Sequence, residues 1–94
     1  MSNVKTTPGH TSVTMTTQSV AYNLTIPAGT LSFWFQINDL PAYKLQYSYG
    51  SGIFMTVPAG SSVAKPDVLI ESPLTLRVKC PDAAGQICVL EYWK

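Results

Sequence analysis

Few residues in this chain could carry acid–base, nucleophilic or metal chemistry: the histidine His10, the cysteines Cys80 and Cys88, and the carboxylates Asp39, Asp67, Glu71, Asp82 and Glu91. A thiolate nucleophile needs a base beside it and a third group that orients the base. His10 lies far in sequence from both cysteines, among small polar residues next to Pro8-Gly9, and no third residue stands in a convincing place to orient it. The cysteines lack the second pair of ligands that a structural zinc site requires. They flank the turn Pro81-Asp82-Ala83-Ala84-Gly85. A hairpin there would set them opposite each other, as small buried hydrophobes or, in an oxidising compartment, as a cross-strand disulfide. Glu71 and Glu91 would make an acid–base pair only if strands brought them together, and no nucleophile accompanies them. A Gly-rich phosphate loop, a nucleophile elbow and a metal-binding His-Glu pair are all missing from the sequence. The expectation is a non-enzyme without a cofactor or a metal site.

The remaining residues of note are aromatic. Tyr43, Tyr47 and Tyr49 alternate along one predicted strand, and Trp34 faces away from the side of its strand that carries Phe33 and Phe35. The tyrosines would line a small core with their hydroxyls at its rim, or form a sugar-stacking platform or a protein interface. Trp34, on a strand whose other face is already apolar, calls for burial by the N-terminal arm or by another subunit. Trp34, Tyr43, Tyr47, Tyr49, Trp93 and His10 are the candidate interface residues.

The elements that must position them are strands. Residues 1–10 hold Pro8, Gly9 and His10 with no apolar period, and read as an arm whose order needs a partner. Residues 11–94 read as one domain. In it Val13 and Met15, then Val20, Tyr22, Leu24 and Ile26, then Leu31, Phe33, Phe35 and Ile37, alternate with polar or opposite-facing residues. That period of two is the signature of a half-buried strand. Pro27-Ala28-Gly29, Asn38-Asp39-Leu40-Pro41, Gly50-Ser51-Gly52 and Pro58-Ala59-Gly60 punctuate the chain with turn chemistry. In these turns proline is expected at the first central position. Leu74, Leu76, Val78 and Cys80, then Ile87 to Trp93, make the last two strands. Val68 and Ile70, after Pro66, suit an edge or a loop. No stretch shows apolar positions at helical spacing, so the predicted fold is all-β, an antiparallel β-sandwich or jelly roll of about 7–8 short strands.

Composition narrows the partners. The chain has 94 residues, 46% hydrophobic and 12% charged, with a net charge of +1. So even a balance offers no electrostatic footprint for nucleic acid. No apolar run approaches the roughly 20 residues that span a bilayer, and the polar start does not read as a signal peptide. A chain this short buries a modest share of its surface, so association with neighbours would stabilise it.

The order of these features resembles small tailed-bacteriophage virion proteins, over about residues 20 to 94. The likeness rests on Leu24-Thr25-Ile26-Pro27-Ala28-Gly29, then Leu31-Ser32-Phe33-Trp34-Phe35-Gln36, a Tyr-rich stretch, and the closing segments Leu74-Thr75-Leu76-Arg77-Val78 and Val89-Leu90-Glu91-Tyr92-Trp93. The group's Gln-Asn strand ending is interrupted here, since Ile37 separates Gln36 from Asn38. The resemblance implies a non-enzymatic β-sandwich that decorates or cements a capsid, or another head or tail accessory, commonly a trimer. Its partners would be the major capsid protein or other virion subunits, and its place the virion, assembled in the host cytoplasm. No catalytic residue carries over. The alternative is a carbohydrate-binding module in which Trp34, Tyr43, Tyr47 and Tyr49 present flat faces to sugar rings. Aromatics gathered in one open platform would favour sugar, and aromatics buried between chains would favour assembly.

Overall fold

The computed structural model describes residues 7–50 and 52–94. Eight strands follow one another: β1 (Pro8–Met15), β2 (Tyr22–Ile26), β3 (Ser32–Ile37), β4 (Leu45–Tyr49), β5 (Met55–Val57), β6 (Val63–Lys65), β7 (Leu74–Lys79) and β8 (Gln86–Trp93). They form two four-stranded antiparallel sheets, ordered β1-β8-β3-β6 and β2-β7-β4-β5. No helix among the described residues is long and apolar enough to cross a membrane.

The topology follows from one long pairing. β1 pairs with β8, β2 with β7, β3 with β6 and β4 with β5, all antiparallel. The chain is therefore a single extended hairpin whose tip lies between β4 and β5. Coiling this ribbon brings β3 against β8 and β4 against β7, which completes the two sheets. That is the jelly roll, or double-stranded β-helix.

Where the ribbon bends from one sheet to the other, both of its arms bend together. Gly29 N donates to Ile70 O at 2.6 Å, Ile70 N to Thr30 O at 3.0 Å, and Val68 N to Leu31 O at 3.0 Å, which ties the β2–β3 corner to the β6–β7 corner. Ser19 N donates to Cys80 O at 2.9 Å and Gly85 N to Met15 O at 2.8 Å, tying the β1–β2 corner to the β7–β8 corner. Pro81–Gly85 is thus a corner and not a hairpin. Cys80 and Cys88 are not cross-strand partners, because β7 and β8 belong to different sheets. Corners and hairpin tips use the same turn residues, so local chemistry reports a reversal without reporting which sheet the next strand joins.

The two Pro-Ala-Gly segments make the same turn. Thr30 N donates to Pro27 O at 3.3 Å and Ser61 N to Pro58 O at 3.1 Å. Proline is therefore the first residue of each turn, one place earlier than its φ preference suggests. The central residues are alanine and a glycine at positive φ, 87° for Gly29 and 76° for Gly60. The buried Thr30 hydroxyl also donates to Pro27 O at 2.7 Å, reinforcing the first corner.

The N-terminal boundary differs from the sequence expectation. Pro8, Gly9 and His10 are strand residues of β1, opposite Trp93, Tyr92 and Glu91. Residues 1–6 of the expected arm lie outside the described residues. The strand shows no apolar period at this point because its inward place is held by Gly9, and the Tyr92 ring occupies the space where a side chain would be. An aromatic ring covering a cross-strand glycine supplies the packing that glycine lacks.

Between the sheets, alternate residues close a core in which Met15, Ile26, Phe35, Leu76, Val78 and Leu90 are fully buried. On β3 the inward Phe33, Phe35 and Ile37 are buried while the outward Ser32, Trp34 and Gln36 are half-buried. A Cβ at positive φ costs about 1–2 kcal/mol, and the Gly29 and Gly60 corners share no partners. Gly29→Ala and Gly60→Ala are each expected to lower unfolding free energy by about 1 kcal/mol, and to add in the double variant. Urea denaturation of the three variants checks this; an unchanged midpoint for either single variant would contradict the turn geometry.

Candidate interaction surface

The outward face of the β1-β8-β3-β6 sheet gathers three of the six candidate residues. In the register, Glu91 on β8 stands between His10 on β1 and Trp34 on β3, and Trp34 in turn faces Ala64 on β6. Trp93 lies on the same face of β8, between Pro8 and Ser32. Trp34 Nε1 donates to Glu91 Oε1 at 2.9 Å, and Trp93 Nε1 donates to the same oxygen at 3.4 Å. One carboxylate thus holds two indoles. Hydrogen bonds to an ionised acceptor are the stronger kind, and they limit the rotamers of both rings. All three side chains remain half-buried in the isolated chain. Glu91 was not among the candidates. Its place on the face of Trp93 follows from the period of two along β8, but its position opposite Trp34 is a register fact that no local pattern announces.

The tyrosines go elsewhere. Tyr47 is buried and Tyr49 packs against the core, so this pair takes the core-lining role. The Phe35 and Tyr47 rings meet edge-on at 5.1 Å, Tyr47 and Tyr49 at 5.5 Å, and Phe33 and Tyr49 at 6.4 Å. Since Phe33 and Phe35 belong to one sheet and Tyr47 and Tyr49 to the other, this ladder of rings joins the two layers. Tyr43 lies before β4 in the β3–β4 connection and is exposed, so the three tyrosines share no platform. Tyr49 Oη is buried with no hydrogen-bond partner among the described residues. Burial pushes its phenol up to about 12.

The remaining chemistry-bearing groups are spread apart. Cys80 and Cys88 are both free and fully buried. Burial raises the Cys88 thiol to about 12, against the activation a nucleophile needs. His10 is exposed on the outer face of β1, with the sheet between it and the core that holds the cysteines. Glu71 is exposed in the β6–β7 connection, whereas the cross-strand neighbours of Glu91 are His10 and Trp34. The register therefore forms neither a Cys-His nor a Glu71-Glu91 pair. Among the described residues no three His, Cys, Asp or Glu side chains gather as a metal site would require. Asp82 accepts the backbone N–H of Lys44 at 2.8 Å, fastening one connection to another.

Two further surface features complete the description. On the other sheet Phe54 lies beneath Lys79 Nζ at 4.2 Å and the Arg77 guanidinium at 5.1 Å, a pair of cation–π contacts. Between β1 and β2 an open cleft of about 420 Å³ is lined by Thr11, Val13, Leu24, Pro27 and Tyr92, among others.

No family model matches the chain, and no curated protein is significantly similar to it. Among solved structures it is similar to a de novo designed double-stranded beta-helix determined by solution NMR. The TM-score is 0.55 at 16% identity, covering 95% of this chain and 100% of that one. The likeness concerns the fold alone, and agrees with the coiled hairpin described above.

Two outcomes follow from the buried groups. The unfolded chain ionises Cys88 near 9.0 and Tyr49 near 10.0, while the folded chain holds both protonated to about 12. Both folded values are raised, so their contribution to stability is intact below about pH 9 and is lost as the pH climbs toward 12. Urea midpoints are expected to hold from neutrality to about pH 9 and then to fall, with native thiol labelling slow until the fall begins. A midpoint that rises above pH 9, or rapid labelling at neutral pH, would refute this. Separately, Tyr49→Phe removes a buried hydroxyl without a partner and is expected to raise stability by about 1 kcal/mol; a loss of that size would mean the hydroxyl is satisfied.

Proposed function

We propose that this chain is a non-enzymatic virion structural protein, a capsid decoration or cement module that seats the outer face of its β1-β8-β3-β6 sheet on the major capsid protein or another shell subunit. The observation that carries the reading is the pair of indoles held on Glu91. Partly exposed tryptophans held in place by a hydrogen bond are the anchors that protein interfaces favour, since little rotamer freedom is lost when a partner covers them. The rest of the face suits the same use. His10, Ser12 and Thr14 on β1, Ile87 and Val89 on β8, and Ser32 and Gln36 on β3 bring no lysine or arginine to be desolvated. Ile53, 91% exposed at the ribbon tip, and Met55 beside it offer a second apolar contact. The order of strands and corners that resembles phage virion proteins supplies the class of partner. A sugar-binding role has less support, because Tyr47 and Tyr49 belong to the core and Tyr43 stands apart.

Trp34→Ala is expected to weaken binding to purified capsid shells by about 30-fold, as loss of an interface hot spot of about 2 kcal/mol would. The variant should keep the native circular dichroism spectrum. Co-sedimentation with shells measures the binding, and an oligosaccharide array run in parallel measures the alternative. Native affinity for shells in the variant would overturn the assignment of this face, and sugar binding without shell binding would overturn the virion reading.

A further inference from the structure

We propose that the free edge of β1 pairs with the β1 edge of a second copy of this chain, joining two β1-β8-β3-β6 sheets into one continuous antiparallel sheet around a two-fold axis at Ser12. Among the described residues four strands are sheet edges: β1, β6, β2 and β5. β5 and β6 are three residues each; Pro58 follows the first, and Lys65 and Pro66 close the second. Short length, proline and lysine are how edges are protected from unintended pairing. β2 has five residues. β1 has eight, carries no Asp, Glu, Lys or Arg, and has its proline only at the first position.

The direction of its backbone groups is fixed by its bonds to β8. Thr7 N donates to Lys94 O at 3.1 Å and Lys94 N to Thr7 O at 2.8 Å, so Thr7 and Lys94 form a bonded pair. Antiparallel pairs alternate between bonded and non-bonded. By the register, Gly9, Thr11 and Val13 also bond to β8, while His10 and Ser12 direct N–H and C=O, and Thr14 its N–H, to the open side; the Thr14 carbonyl accepts from Thr16 N at 3.0 Å. An antiparallel edge of this kind is complementary to itself. Centred on Ser12, it sets His10 opposite the partner's Thr14 and Ser12 opposite the partner's Ser12, with no like charges facing. On the inward side Thr11 faces the partner's Val13, beside the cleft that Val13, Leu24 and Tyr92 line along this edge. The partner strand covers Val13, Leu24 and Tyr92 in a lining that also holds Thr11, Ser12, Asn23 and Thr25.

The contact is isologous and closes at two copies, in place of the trimer that the phage resemblance implies. Light scattering and sedimentation of the full chain from ~1 µM to ~1 mM are expected to show a monomer–dimer equilibrium. Ser12→Pro removes an N–H that the fold does not use and is expected to give a folded monomer, while Ser12→Ala keeps the dimer. Amide exchange on the unmodified chain is an independent readout. The N–H groups of Ser12 and Thr14 are expected to exchange at least ~10-fold more slowly at concentrations that favour the dimer than in dilute solution. A monomer throughout the range, a trimer, or exchange at these amides that ignores concentration would overturn the proposal. Shell binding by Trp34→Ala reports on the sheet face and not on this edge, so the two readings fail separately.

Discussion

The pairing of the first half of the chain with the second, strand by strand, is the constraint from which the rest of the structure follows. β1 to β4 each find an antiparallel partner in β8 to β5, and the coiling of that ribbon makes β3, β4, β7 and β8 the inner strands, each with two neighbours. Because the outermost pair joins the two ends of the described chain, the β1-β8-β3-β6 sheet is complete only when its most distant segments meet. Closing loops of that length before their contacts form is slow. The corners ease this by bending both arms of the ribbon together: backbone hydrogen bonds tie β1–β2 to β7–β8 and β2–β3 to β6–β7.

The two sheets then sort their aromatic residues by parity. Inward positions on β3 and β4 bring Phe33, Phe35, Tyr47 and Tyr49 into a ladder of edge-on contacts that joins the layers. Outward positions on β3 and β8 leave Trp34 and Trp93 on a surface with few charges, where Glu91 fixes both. A one-residue slip of β8 against β3 would exchange these roles, placing Glu91 in the core and Leu90 outside. The register that builds the core therefore also builds the outer face.

Polar groups are used mainly to fasten connections. The Thr30 hydroxyl, the Asp82 carboxylate and the corner glycines each satisfy or release a backbone group at a bend. Among the described residues the buried side chains that carry polar groups are Thr30, Ser48 and Tyr47, with the Tyr49 hydroxyl at the margin of the core and the two thiols. A thiol in such surroundings behaves as a small hydrophobe. The side chains with reactive potential are thus either buried among apolar neighbours or dispersed over the surface.

The amino-acid sequence by itself determined the all-β class, the strongly alternating strands β2, β3, β4, β7 and β8, and the places where the chain must turn, but not the three-residue β6. Each depends on residues within a few positions: period-two hydrophobicity, proline, and glycine at positive φ. The inward faces of Phe33, Phe35, Leu76 and Leu90 were legible for the same reason. Only the tertiary structure decided which strands are neighbours, because turn residues do not distinguish a corner from a hairpin; hence the separation of Cys80 from Cys88 into different sheets. It alone extended β1 back to Pro8, since Gly9 carries no periodic signal and its packing is supplied by Tyr92 from the other end of the chain. And it alone brought Trp34 to Glu91 and Trp93, which share a face of β8; that meeting depends on the alignment of β3 with β8, a relation between segments far apart in sequence that no local pattern encodes.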